Sequence, residues 1–236
     1  MQHPIVSQEE WLEARKTLLQ KEKEETHLRD AVRAARLALP WVRVENEYVF
    51  DTPSGKKSLA ELFDGRSQLI VYHFMLGPGW KAGCPGCSFL CDHIDGALPH
   101  LNHHDVTWTA VSRAPMNEIA AYKTRMGWKF PWVSSAGNRF NHDFHVSFSK
   151  EELAEGAVDY NFTRVPSDKA NDELPGLSAF FKDKKGEIFH TYSSYARGPE
   201  EIIGTLMILD RAPLGRNEDS TMNFVRRHDE YEAAAE

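Results

Sequence analysis

The sequence predicts an α/β fold in which a mixed central sheet is flanked by helices. Three observations carry this reading. Gln68 to Met75 is the strongest strand signal in the chain, and its near-continuous apolar run marks a strand buried on both faces. A breaker, Gly77-Pro78-Gly79, and a helical stretch separate it from a second strand over Val106–Ser112, the order of a βαβ unit with a right-handed crossover. Two further strands then flank Asp183-Lys184-Lys185-Gly186 and read as an antiparallel hairpin, followed by a closing helix.

The elements follow in order. Trp11, Leu18, Leu28, Val32, Ala35 and Leu39 recur at helical spacing, so residues 7–39 are expected to be helical, with Pro40 as the stop. Lys21-Glu22-Lys23-Glu24-Glu25 interrupts the apolar stripe. Trp41–Val44 and Tyr48–Phe50 are short β-rich runs, Asp51–Gly55 is a turn, and Leu59–Phe63 is one helical turn. A single helix is expected from Cys84 to His103, with Pro85 in the first turn where proline is tolerated. Pro115 opens another helix running to Met126, and Phe130–Ser134 is a short strand. Residues 135–176 are rich in Asn, Asp and Pro and lack periodicity, so they read as an irregular insertion. The hairpin strands are Leu177–Lys182 and Glu187–Tyr192. The last helix runs from Gly198 to Asp210, with Ile202, Ile203, Leu206 and Leu209 facing inward. The expected organisation is therefore an N-terminal helical arm (1–40), one sheet domain (41–212) and a charged tail on the surface (213–236). Strand, helix, strand, helix, hairpin and helix is the thioredoxin-type arrangement; the extra strands near 42–50 and 130–134 resemble peroxiredoxin-like additions.

Apolar residues are 41% and charged residues 27% of the 236, which suits a filled core. A net charge of −7 and the absence of Lys/Arg clusters argue against a nucleic-acid partner or an anionic membrane surface. No stretch reaches the roughly 18 unbroken apolar residues of a membrane helix. Met1-Gln2-His3-Pro4 has neither the basic nor the apolar region of a secretion signal, so a cytoplasmic location is expected. In a reducing compartment a cysteine pair is more often catalytic or metal-binding than a structural staple.

The three cysteines are Cys84, Cys87 and Cys91. Cys84-Pro85-Gly86-Cys87 follows the strongest strand and opens a helix, which is the setting in which a C-x-x-C motif does redox chemistry. Unpaired N–H groups and the macrodipole at a helix N-terminus favour thiolate over thiol. Cys84 is thus the expected nucleophile and Cys87 the resolving thiol. Cys91, one turn on, reads as a small buried hydrophobe and only secondarily as an auxiliary thiol. A metal site built from the cysteines and His93 lacks the second ligand pair of a closed zinc site, and no metal or cofactor is expected. His100 and His104 stand one turn apart, but charged histidines near a helix C-terminus have an ordinary explanation. Strand ends supply further site residues. Arg113 follows the second parallel strand and can either stabilise the thiolate or form a surface ion pair. Trp80 can wall the sulfurs or cap the core edge. Gly176 and Leu177, at the start of the hairpin, are expected to approach the cysteines.

These motifs carry a family resemblance. His73-Phe74-Met75, Gly77-Pro78, Gly83 through Phe89, Asp92 through Gly96, Val111 through Pro115, Met126 through Ser135 and Phe144 through Phe148 contribute to it. So do Leu174 through Ser178, Phe189 through Ser193, Arg197-Gly198 and Arg227-His228-Asp229. Together they resemble a bacterial thioredoxin-like family, domain of unknown function 899, labelled predicted dithiol–disulfide oxidoreductases. The resemblance implies the thioredoxin-like fold and, for the cysteine pair, thiol–disulfide exchange with an unidentified disulfide or thiol substrate. Two departures from better-known relatives stand out. Pro175 lies slightly before the place where thioredoxins put a cis-proline. Lys81 stands where peroxiredoxins carry threonine or serine, which ranks peroxidase activity below dithiol exchange. A non-enzymatic metal- or ligand-binding module is the remaining alternative. The apolar stripe of the N-terminal arm suggests a homodimer.

Overall fold

The computed structural model describes residues 3–231. The chain divides at Pro40. The first unit is one helix, α1 (Gln8–Leu37). Ser7 caps it: the Ser7 hydroxyl accepts the Glu10 N–H while the Glu10 carboxylate accepts the Ser7 N–H. Acidic Glu9 and Glu10 open the helix and basic Arg36 closes it, as the macrodipole favours. None of its residues is buried.

The second unit begins with β1 (Val42–Arg43), the hairpin strands β2 (Val49–Thr52) and β3 (Gly55–Ser58), and the short helix α2 (Leu59–Leu62). It continues with β4 (Gln68–His73), α3 (Pro85–Cys91), α4 (Leu98–His103), β5 (Val106–Ser112), α5 (Met116–Arg125) and β6 (Trp132–Ser134). Four short elements follow: α6 (Phe140–Asp143), α7 (Lys150–Ala154), β7 (Ala157–Tyr160) and β8 (Thr163–Pro166). The hairpin β9 (Gly176–Lys182) and β10 (Ile188–Tyr195) and the helix α8 (Gly204–Leu209) complete it.

Eight strands form one sheet in the order β1-β10-β9-β4-β5-β6-β2-β3. β4, β5 and β6 are parallel neighbours, and β9 runs antiparallel to β4. A parallel βαβ core extended by an antiparallel hairpin is the thioredoxin-like fold that the sequence predicts. β4 is buried on both faces because its residues alternate between two cores. Leu69 and Val71 join Phe50, Phe63, Phe140, Phe144 and Phe180 on one side. Tyr72 joins Cys87, Cys91, Trp108, Tyr122, Trp128 and Trp132 on the other.

Four local expectations are corrected. The helix expected from Cys84 to His103 is two helices. Asp95 turns away to accept the N–H groups of Lys129 and Phe130, both at 2.8 Å, and Asp92 accepts the Trp128 indole N–H at 2.8 Å. These carboxylates serve another segment, and the intervening residues turn. The helix expected over 198–210 is a 3₁₀ turn (Gly198–Ile202) followed by α8. Ile203 is extended and buried between them, while Ile202 is exposed. The insertion at 135–176 holds the four short elements α6 to β8 and a 3₁₀ turn (Ser167–Lys169), and its Phe140, Phe144, Val146, Phe148, Val158 and Tyr160 help fill the second core. Phe144, Val146 and Phe148 alternate with polar residues, but that run makes only an isolated bridge from Ser147 to Glu173, and the other residues share no period with it. Past Pro213 the chain is not confined to the surface: Val225 is buried, and Phe224 meets Phe89 edge-on at 6.2 Å.

Candidate active site

The site is built at the carboxyl end of β4, where the chain leaves the sheet through His73-Phe74-Met75-Leu76 and a glycine-rich loop. Two glycines there are fixed by close approach. A Cβ on Gly77 would lie 2.8 Å from the Trp80 indole nitrogen. One on Gly83 would lie 2.5 Å from the Phe74 ring and 2.7 Å from Tyr122. Only a bare backbone passes between those rings. The Cys84 N–H then donates to Met75 O at 3.1 Å, which ties the motif to the strand end.

Cys84 is the N-cap of α3 and Pro85 its first residue. Ser88 secures the turn: its N–H donates to Cys84 O at 3.0 Å and its hydroxyl to the same oxygen at 2.8 Å. The Ser88 hydroxyl also lies 2.8 Å from the Tyr122 hydroxyl. All three cysteines are free thiols; Cys84 is half-buried and the other two are buried.

The three sulfurs differ electrostatically. Cys84 is pulled down to about 6, first by the Cys87 thiol that donates to it, then by the backbone N–H groups of Cys87 and Gly86 and the positive charge of Arg227; burial opposes these. Burial pushes the Cys87 thiol well up, and the Cys84 sulfur beside it adds to the rise. The Tyr72 hydroxyl and the Met75 N–H hydrogen-bond to Cys87 and pull the other way. Burial, with Asp92 and Asp95 nearby, raises Cys91 as well. Cys91 is fully buried among apolar neighbours, the place of a core residue. A thiolate is thus favoured at one position, the less buried member of the pair.

The other residues singled out in the sequence are placed unequally. Trp80 and Leu177 pack against the core layer that contains the cysteines. Gly176 faces the opposite layer: a Cβ there would meet Tyr195 and Val146 at 2.9 and 3.1 Å. Successive strand residues point to opposite faces, so Leu177 and Gly176 cannot both approach the sulfurs with their side-chain positions. No peptide bond among the described residues is cis, Pro175 included. Arg113 is engaged elsewhere. Its Nε donates to the buried Glu173 carboxylate at 2.6 Å and its Nη2 reaches Asp172 at 3.5 Å. Glu173 also accepts the Ser147 hydroxyl at 2.6 Å.

The cation beside Cys84 is Arg227, from the C-terminal segment. Its Nε and Nη2 donate to Gly83 O at 2.9 and 2.6 Å, one residue before the cysteine. Met222 of the same segment approaches Gly86, with its methyl 3.4 Å from where a Cβ would stand. His228 meets Asp92 at 2.7 Å. Sequence reasoning missed Arg227 and Tyr72. Tyr72 looked like one more apolar strand residue, and Arg227 lay in a charged stretch without periodicity. The only available signal was its place in the Arg227-His228-Asp229 block.

His93 does not stand free for a metal: its Nδ1 lies 2.8 Å from Phe89 O and its Nε2 2.8 Å from the Thr205 hydroxyl. Among the described residues, no three His, Cys, Asp or Glu side chains gather as they would around a metal ion. No helix of the described residues is long and apolar enough to cross a membrane.

Comparison with solved structures finds similarity to a peroxidoxin, BcpB, from Mycobacterium tuberculosis, at 12% identity and TM-score 0.45, covering 72% of this chain and 97% of that one. Peroxiredoxin Q from Xanthomonas campestris matches at 15% identity and TM-score 0.45, covering 68% and 90%. PrxQ from Xylella fastidiosa matches at 17% identity and TM-score 0.42, covering 68% and 88%. No curated protein matches the sequence. The model of one family, described as bacterial protein of unknown function (DUF899), matches residues 1–231, and the chain belongs to that family.

Proposed function

We propose that this chain is a thiol–disulfide oxidoreductase that cycles Cys84 and Cys87 between dithiol and disulfide. The observation that supports it is the opposite electrostatic treatment of two adjacent sulfurs: Cys84 lowered at the N-cap of α3, Cys87 raised behind it. A nucleophile and a resolving thiol need this division.

The Cys84 thiolate attacks one sulfur of the substrate disulfide. That S–S bond breaks, the far sulfur leaves as a thiolate and takes a proton from water, and a mixed disulfide joins Cys84 to the substrate. Cys87 then loses its proton and attacks Cys84 Sγ. The second substrate sulfur leaves and is protonated in turn. Two electrons have passed to the substrate, and an external dithiol restores the pair. Tyr72 is positioned for the second step, because a hydroxyl donating to Cys87 stabilises the thiolate that must form in a buried place. Trp80 and Leu177 border the thiol layer and supply an apolar rim for the substrate. The chemistry calls for no bound cofactor.

A Cys87→Ser variant tests the proposal. Incubated with insulin as disulfide substrate, it is expected to accumulate a mixed disulfide at Cys84, visible as an added mass under non-reducing conditions, while the unaltered chain turns over with a dithiol reductant. Consumption of hydrogen peroxide without any disulfide exchange would assign the site to peroxidase chemistry. Stoichiometric zinc that protects both thiols from alkylation would make it a binding module.

A further inference from the structure

α1 carries a seam of residues that nothing in its own unit covers. Trp11, Ala14, Leu18, Lys21, Glu25, Leu28, Val32 and Ala35 follow one another at alternating steps of three and four, the spacing of a coiled-coil seam. Every one of them is exposed, with Trp11, Leu18, Leu28 and Val32 at 51, 50, 65 and 47%. The seam is apolar at both ends and carries two opposite charges, Lys21 and Glu25, at its middle. That charge pattern selects both the occupant and its direction.

We infer that the seam docks against the same seam of a second copy of this chain, with the two helices antiparallel about a two-fold axis. In the register that centres the axis on Lys21 and Glu25, Trp11 of one helix faces Ala35 of the other. Ala14 then faces Val32, Leu18 faces Leu28, and Lys21 faces Glu25, each layer occurring twice by symmetry. Large residues meet small ones at the ends, and the two middle layers are ion pairs. Glu25 already accepts Arg29 of its own helix at 2.7 Å, so the incoming ammonium joins an existing pair. A shift of one heptad places Lys21 against Leu18 or Val32 and leaves an ammonium facing an apolar side chain. A parallel pairing stacks Lys21 on Lys21 and Glu25 on Glu25. Both alternatives lose the charge match that this register keeps, which is how a polar seam layer specifies orientation.

Sedimentation equilibrium of the full chain, unaltered and in three charge variants, tests the inference. The unaltered chain is expected to be a dimer. Glu25→Lys puts four ammonium groups into the two middle layers, and its dissociation constant should rise at least about tenfold; Lys21→Glu should do the same with carboxylates. The double exchange Lys21→Glu/Glu25→Lys restores opposite charges and should bring the constant back to within about threefold. Helical content by circular dichroism, unchanged across the set, separates loss of docking from loss of the helix. A monomer at about 100 μM overturns the inference. So does a dimer that the single variants leave intact, as a parallel pairing with like charges in both layers would be. So does a double variant no tighter than the singles.

Discussion

Tyr72 and His73 are neighbours on β4, yet they enter opposite cores. Both are buried polar rings, and the groups around them behave differently. On the His73 side, burial and the nearby His190 hold the imidazole down to about 3, so it stays neutral. His73 Nε2 lies 2.8 Å from the Ser178 hydroxyl, which continues at 2.8 Å to Ser193 and from there at 2.7 Å to His190. The ring stacks on Phe140 and Phe144 at 5.5 and 5.6 Å. On the Tyr72 side, Cys87 is silenced by burial in the same way, but Cys84 is not. The difference is position. Cys84 stands at a helix start, where a thiol and two backbone N–H groups point at it and favour the anion, whereas the cation of His73 would need a carboxylate or another acceptor and instead has His190 beside it, which opposes a second positive charge. Burial suppresses charge on both faces, and only converging donors restore it on one.

The largest expected effect removes those donors' target. Cys84→Ser should abolish disulfide reduction in the insulin assay. In the unaltered protein, iodoacetamide under native conditions should label Cys84 first. The rate should follow the thiolate, holding level above about pH 7 and falling as pH drops through about 6. The same lowered pKa links to stability. Relative to an ordinary thiol near 9, the folded state gains from ionised Cys84 in full above that value. The gain fades as pH falls and is gone below about 6. Labelling of Cys91 ahead of Cys84 would mean that the buried sulfur is reached by opening of the core, and the assignment of the nucleophile would fail.

The other face should respond in stability alone. His73→Ala leaves a void against Phe140 and Phe144 and strips the Ser178 hydroxyl of a partner, at a cost of about 3 kcal/mol. Urea unfolding measures that loss. Per folded molecule, the Cys84 labelling profile should not move. A shifted profile would show that the two faces are coupled through β4.

On the cysteine face, Tyr72→Phe keeps the ring against Trp108 and removes only the hydroxyl. The first attack should proceed at its usual rate, and resolution of the mixed disulfide by Cys87 should slow about tenfold, the worth of one hydrogen bond to a charged group. Rapid-mixing measurement of both steps separates them. Equal slowing of both would point to a disturbed fold rather than a role at Cys87.

This contrast also marks what was legible in the sequence. The strands β4, β5, β9 and β10 announce themselves by apolar runs and turn residues, and the motif at Cys84 is legible because it opens a helix directly after a strand. What was not legible is what arrives from far along the chain. Arg113 follows a strand end as expected, but its partner Glu173 lies 60 residues away and ties it into a half-buried ion pair. Arg227 reaches Gly83 across 144 residues. The break after Cys91 depends on backbone N–H groups of Lys129 and Phe130, which local propensity does not register. Single-residue contacts of this kind have no period, so pattern reading finds the framework and misses the groups that tune it.

Arg227 offers the smallest effect and the finest test of the donor argument. Its guanidinium is shared: one edge holds Gly83 O, and Nη1 pairs with Glu230 at 2.8 and 3.0 Å. Among the influences that lower Cys84, its charge ranks behind the Cys87 thiol and the two backbone N–H groups. Arg227→Ala should therefore raise the Cys84 pKa only slightly, and the sign fixes where this shows. Near pH 6 the thiolate fraction falls, so alkylation should slow about threefold there. At pH 9 Cys84 is ionised with or without the arginine, and the two rates should converge. Arg227→Lys keeps the charge but cannot grip Gly83 O with two donors, and its profile should fall between the other two. A loss of equal size at both pH values would mean that Arg227 acts by holding the Gly83 backbone, with no electrostatic share in the thiolate. An unchanged profile in both variants would leave the helix start and the Cys87 thiol as the whole cause of the lowered pKa.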